Sequence, residues 1–154
     1  MLPEFKELLS IFNARGVRYL VVGGYAVSLH AQPRTTQDID LFIAPDPQNS
    51  THVHAALQEF GAPLEGLRPE DFAERGKFFR MGRAPLAVDI LPEIDGVSFE
   101  QAWPNRTEIV IDDHSGLKAF FISSEDLIAN KLASGRPQDL ADVAALRQAA
   151  KAKD

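Results

Sequence analysis

One residue restricts this chain more than any other. Asp89 stands in the middle of Ala87-Val88-Asp89-Ile90-Leu91, a run that otherwise reads as a buried β-strand. A carboxylate in such a strand is costly to bury alone, so the fold has to bring something positive to it. Asp38-Ile39-Asp40-Leu41-Phe42-Ile43 poses a related problem. Side chains alternate along a strand, so Asp38 and Asp40 project from one face while Ile39 enters the core. If the two strands are neighbours, three carboxylates converge. Like charges about 4 Å apart repel by roughly 4 kcal/mol at an effective dielectric near 20. Such a trio calls for a proton, an arginine or a divalent cation. Oxygen-only ligands suit Mg²⁺ or Mn²⁺, the ions that usually link carboxylates to phosphates. The chemistry served is then phosphoryl or nucleotidyl transfer.

The surrounding pattern predicts a mixed α+β domain: a small sheet flanked by helices. Phe5, Leu8, Leu9 and Phe12 repeat at helical spacing ahead of Gly16. Residues 17–22 read as a strand that Gly23-Gly24 ends, and a second helix starts at Tyr25. After the Asp38/Asp40 strand, Ser50 is the expected cap of a helix carrying Val53, Ala56, Leu57 and Phe60 and closing at Gly61. Residues 77–81 and 85–91 form a hairpin turning at Gly82, Arg83 and Ala84, and residues 108–112 and 117–122 give two more strands. Ser123 or Ser124 caps a helix with Leu127, Ile128 and Leu132. Gly135-Arg136-Pro137 breaks it, and a last helix carries Leu140, Val143, Ala144 and Leu146. The expected division is a core over residues 1–122 and a short C-terminal helical extension over 123–154.

Other chemistries recede. With no cysteine, thiolate catalysis, disulfides and Cys-based metal sites are excluded. His30, His52, His54 and His114 have no zinc spacing. No apolar run reaches the roughly 20 residues of a membrane helix, and the N-terminus lacks signal-peptide character, so a cytoplasmic protein is expected. A net charge of −6 argues against broad non-specific DNA binding. Phe78-Phe79, near Lys77, Arg80 and Arg83, could stack a base, but the expected outcome is one ring inward and one outward. Trp103 is expected in a loop as a packing anchor.

Gly23-Gly24 lacks the P-loop lysine, yet two glycines between strand and helix let backbone N–H groups approach a triphosphate. Arg34, Thr35 and Thr36 are candidate phosphate donors just ahead of the acids. Taken in order, Gly23-Gly24, Asp38-Ile39-Asp40 and Asp89 resemble the nucleotidyltransferase superfamily, in its minimal bacterial branch of lincosamide-type and abortive-infection toxin-type enzymes. Lys131, Arg136, Asp139 and Asp142 fit the C-terminal helix pair of that branch.

The resemblance implies a nucleotidyltransferase-type fold and transfer of a nucleoside monophosphate from an NTP to a hydroxyl on a small molecule, an RNA end or a protein. It implies that Asp38, Asp40 and Asp89 hold Mg²⁺ or Mn²⁺, with Asp89 also the general base. Gly23, Gly24 and Thr36 would meet phosphate, and Lys131 and Arg136 would neutralise it. Asp139 and Asp142 are expected to pair with Arg136. The C-terminal helical region is short for an acceptor site. That leaves a second reading, a non-catalytic nucleotide- or RNA-binding module, for example half of a toxin–antitoxin pair. The exposed apolar positions expected of the helical tail make a homodimer plausible.

Overall fold

A computed structural model of the chain describes residues 1–33, 38–82 and 87–153. A six-stranded mixed sheet organises it, in the spatial order β3-β4-β2-β1-β6-β5. The strands are β1 (Tyr19–Val22), β2 (Ile39–Ile43), β3 (Phe79–Met81), β4 (Val88–Leu91), β5 (Thr107–Asp112) and β6 (Leu117–Phe121). β1 and β2 pair antiparallel, and β4 and β6 then join them parallel, β4 beside β2 and β6 beside β1. β3 and β5 close the two edges antiparallel. All four residues of β1 are buried, as expected of a central strand covered on both faces.

The helices follow the apolar periodicity. Helix α1 (Pro3–Ala14) buries Phe5, Leu8, Leu9 and Phe12, the four positions picked out by spacing. Helix α2 (Gly23–His30) starts directly from β1, so Gly23 and Gly24 lie in its first turn rather than ahead of it. Helix α3 (Pro47–Phe60) ends at Gly61, with φ +94°. Its cap is Asp46, whose Oδ1 accepts from the Asn49 N–H at 2.8 Å, and Ser50 is buried inside the first turn instead. Pro47 explains the shift: proline is best placed at the first helical position, which puts the cap one residue earlier.

A short helix α4 (Phe99–Ala102) and a 3₁₀ turn (Trp103–Asn105) occupy the stretch around Trp103, so this residue is not in an open loop. Its ring stacks on Phe99 at 5.5 Å and meets Phe120 edge-on, which is the anchoring role anticipated for it. Phe79 packs against Phe72 while Phe78 is exposed, so the aromatic pair splits.

Helix α5 (Ser124–Ser134) is capped by Ser123 and ends at Gly135, and α6 (Pro137–Lys153) follows at once. They pack on each other and on α2. Leu132 and Leu140 are about half exposed, in keeping with the exposed apolar positions expected of the helical tail. In α6 the inward positions go to Asp139, Asp142, Val143 and Leu146. No helix among the described residues is long and apolar enough to cross a membrane.

Candidate active site

The site lies where β1 ends and where β2 and β4 begin. β2 and β4 are parallel and in register, with Ile39 opposite Val88 and Asp40 opposite Asp89. Adjacent strands lie about 4.8 Å apart, so Asp40 and Asp89 are direct neighbours on one face. Ile39 is fully buried on the other face. Asp38 sits just before β2, where its Oδ1 accepts from the Ala87 N–H at 3.1 Å. That bond joins the entries of the two strands. The three carboxylates singled out from the sequence therefore meet at one place.

Their compensating charge comes from Arg80. Edge strand β3 pairs Arg80 directly opposite Asp89. Its guanidinium holds Asp89 with both arms, Nε to Oδ1 at 2.8 Å and Nη2 to Oδ2 at 2.9 Å, and Nη2 lies 3.8 Å from Asp38 Oδ2. This is the planar bidentate fit that arginine makes and lysine does not. Sequence reasoning placed Arg80 only on a basic hairpin edge. The signal that could have found it is the demand made by Asp89, met by the nearest cation on the paired strand.

One guanidinium does not balance three carboxylates. Asp40 carries the excess: burial, reinforced by the neighbouring Asp89 and Asp38, pushes its carboxyl up to about 7, against a partial opposing pull from Lys131. Gly23 presses on the same group. Val22 is in register with Asp40 across the β1/β2 pair, and Gly23 follows with φ +66°. A Cβ on Gly23 would overlap Asp40 Oδ2 and lie 3.0 Å from its Cγ. Both the left-handed backbone and the close approach require glycine. Gly23→Ala should therefore lose about 2 kcal/mol or more of stability. Urea denaturation of the metal-free protein measures this.

Lys131 and Arg136 stand across an open cleft of about 300 Å³ from Gly23 and Asp40. Both are engaged. Lys131, nearly buried, lies 3.4 Å from Asp139 and 3.1 Å from Asp142. Arg136 binds Asp139 through Nε at 2.7 Å, and its backbone N–H bonds the same carboxylate at 3.2 Å. These bonds hold the Asp139 carboxyl below its ordinary value despite its burial. The pairing anticipated for Asp139 and Arg136 is thus present, with Lys131 added to it. The Arg136 side chain stays 75% exposed, so its outer face is open to the cleft. No side chain of the preceding residue Val22 caps the first turn of α2, at Gly23 and Gly24. Thr36 lies outside the described residues, as do Arg34, Thr35, Arg83 and Ala84.

The donor set suits a hard divalent cation. It offers three oxygen-bearing groups, and burial, with Asp89 and Asp38 close by, pushes the Asp40 carboxyl up. Among the described residues, however, no three acidic or imidazole groups form a ready-made metal cage. With Arg80 on Asp89, the carboxylates are arranged around a guanidinium.

Residues 2–150 match the family model described as "Nucleotidyltransferase of unknown function (DUF6036)". The chain belongs to this family. The fold agrees. A lincosamide antibiotic adenylyltransferase, LnuA, crystallised with lincomycin, superposes with a TM-score of 0.59 at 20% identity, covering 96% of each chain. ANT(2")-Ia in complex with adenylyl-2"-tobramycin gives 0.60 at 17% identity, over 97% of this chain and 87% of the other. The solution structure of the antibiotic-resistance factor ANT(2'')-Ia gives 0.59 at 16%, over 98% and 83%. These likenesses show the shared nucleotidyltransferase-type fold. No curated protein sequence matches the chain.

Proposed function

We propose that this member of the nucleotidyltransferase family transfers a nucleoside monophosphate from an NTP to a hydroxyl acceptor and releases pyrophosphate. The observation that carries the reading is the in-register pairing of Asp40 with Asp89 beside Gly23, with Asp38 at the strand entry. Structural needs alone do not explain three clustered carboxylates that leave one of them reluctant to ionise.

In this reading Asp38, Asp40 and Asp89 hold Mg²⁺ or Mn²⁺. When bound, the ion supplies charge neutralisation at the nucleotide phosphates. The chain's own groups do the rest. The first-turn N–H groups at Gly23 and Gly24 receive phosphate oxygens, helped by the positive end of α2. Arg136 offers its exposed face to the same phosphates across the cleft, and Lys131 adds positive potential from beneath. The acceptor oxygen forms a bond to the α-phosphorus as the bond from that phosphorus to the bridging oxygen breaks. The electron pair leaves with pyrophosphate, and the hydroxyl proton passes to a carboxylate oxygen of Asp89. Fold analogy with the antibiotic adenylyltransferases makes a small-molecule hydroxyl the first acceptor class to test.

The test is thermal stabilisation by each of the four NTPs with Mn²⁺ or Mg²⁺, followed by pyrophosphate release with lincomycin, tobramycin, RNA and cell extract as acceptor sources. The expected result is metal-dependent stabilisation by at least one NTP and acceptor-dependent pyrophosphate release. Stabilisation without release from any source would favour the binding-module reading, including a role in a toxin–antitoxin pair. If no NTP stabilises the protein with either metal, the transfer and nucleotide-binding readings fail.

A further inference from the structure

We propose that Arg80 is an exchangeable counter-cation of the carboxylate trio, which a divalent cation must displace from Asp89 before the site is loaded. The inference rests on the metal-dependent reading above and adds a residue to it.

The geometry points to competition. Arg80 Nε and Nη2 occupy both oxygens of Asp89, and Nη2 also faces Asp38. A cation shared by the trio would need some of these same oxygens. The two partners differ in how easily they can move. The Asp89 side chain is 10% exposed and fixed in a strand between β2 and β3, whereas the Arg80 side chain is 47% exposed on the edge strand. Asp89 cannot leave, and its burial forbids leaving it unpaired. Arg80 can swing outward without opening a cavity, because half of its surface already faces solvent. One positive charge is therefore always at Asp89, and its identity can change. A released guanidinium also remains at the rim of the site, with donors suited to phosphate oxygens.

A purely structural ion pair predicts something different. There, Arg80 would stabilise the sheet edge and leave cation affinity unchanged. Mn²⁺ binding to the full chain without nucleotide, followed by electron paramagnetic resonance of the free ion, separates the two. Arg80→Gln should bind Mn²⁺ at least about tenfold more tightly than the wild type, since a charge-assisted bidentate contact no longer competes. The melting temperature of Arg80→Gln should be lower than wild type in metal-free buffer and should recover further on adding Mn²⁺. Arg80→Lys keeps a charge without the two-armed grip and should fall between them, which preserves the test if the glutamine variant folds poorly. Tightening of less than threefold in both variants, or weaker binding, overturns the proposal. The nucleotide reading fails separately, through the absence of NTP-dependent stabilisation of the wild type.

Discussion

Lys131→Met should cost about 3–5 kcal/mol of folding stability, the range for removing one partner of a buried ion pair. The Lys131 side chain is 9% exposed and lies between Asp139 and Asp142, whose side chains are 1% and 5% exposed. Asp139 would keep its bonds to Arg136, so the loss falls mainly on Asp142, which retains a 3.0 Å bond from Gln138 Nε2. Burying that carboxylate beside a methionine carries the desolvation cost of a charge with little return. The network also joins α5 to α6, so its loss should loosen the whole C-terminal pair. Urea denaturation gives the magnitude. The double variant Lys131→Met/Asp142→Asn removes both charges and should recover more than half of the loss; independent roles would make the two effects add. If Lys131→Met costs under 1 kcal/mol, the network is not a structural clamp, and Lys131 is held chiefly for the cleft.

This cluster shows what a one-dimensional reading can and cannot reach. Arg136 and Asp139 are three residues apart at a helix start, so their pairing follows from local spacing. That Lys131 shares the same carboxylate depends on how two helices pack, which spacing does not fix. The carboxylate trio was legible because Asp38, Asp40 and Asp89 interrupt apolar strands, and burial makes such interruptions expensive. That something positive must compensate Asp89 was legible too. Which residue does so was not, because the answer lies in the register of β3 against β4, which the pattern within either strand does not fix. At α3 the Asp46-Pro47 pair outranks Ser50 as a cap signal, because proline at the first helical position is the stronger marker. Helix α4 has a Ser98 cap whose oxygen accepts from the Gln101 N–H at 3.2 Å, but a single helical turn carries no periodicity that a sequence pattern can show.

The same electrostatics predict that stability and activity separate at Asp40. If the proposed function holds, Asp40→Asn should lower nucleotidyl transfer by about a thousandfold or more, some 4 kcal/mol of barrier, by removing a charged oxygen of the proposed metal site. Yet the metal-free variant should be more stable than wild type above neutral pH. The carboxyl holds its proton up to about 7 in the folded chain, against an ordinary value of 3.8. Between those values the folded state binds more protons than the unfolded one, so raising the pH favours unfolding. Stability contributed by the protonated group is complete below about pH 4. It declines as pH rises toward 7 and does not return above it. Asparagine keeps the shape and never ionises, so it escapes that decline. We expect Asp40→Asn and wild type to melt alike near pH 4, and the variant to gain about 2 kcal/mol at pH 8 in metal-free buffer, roughly half the ideal linkage value because Asp89 and Arg80 can readjust. Added Mn²⁺ should narrow the gap at pH 8 by stabilising wild type more than the variant. A variant less stable than wild type at pH 8 would mean that Asp40 is held by attractive contacts rather than strained by its neighbours. The carboxylate trio would then lack the unmet negative charge that gives a divalent cation its place.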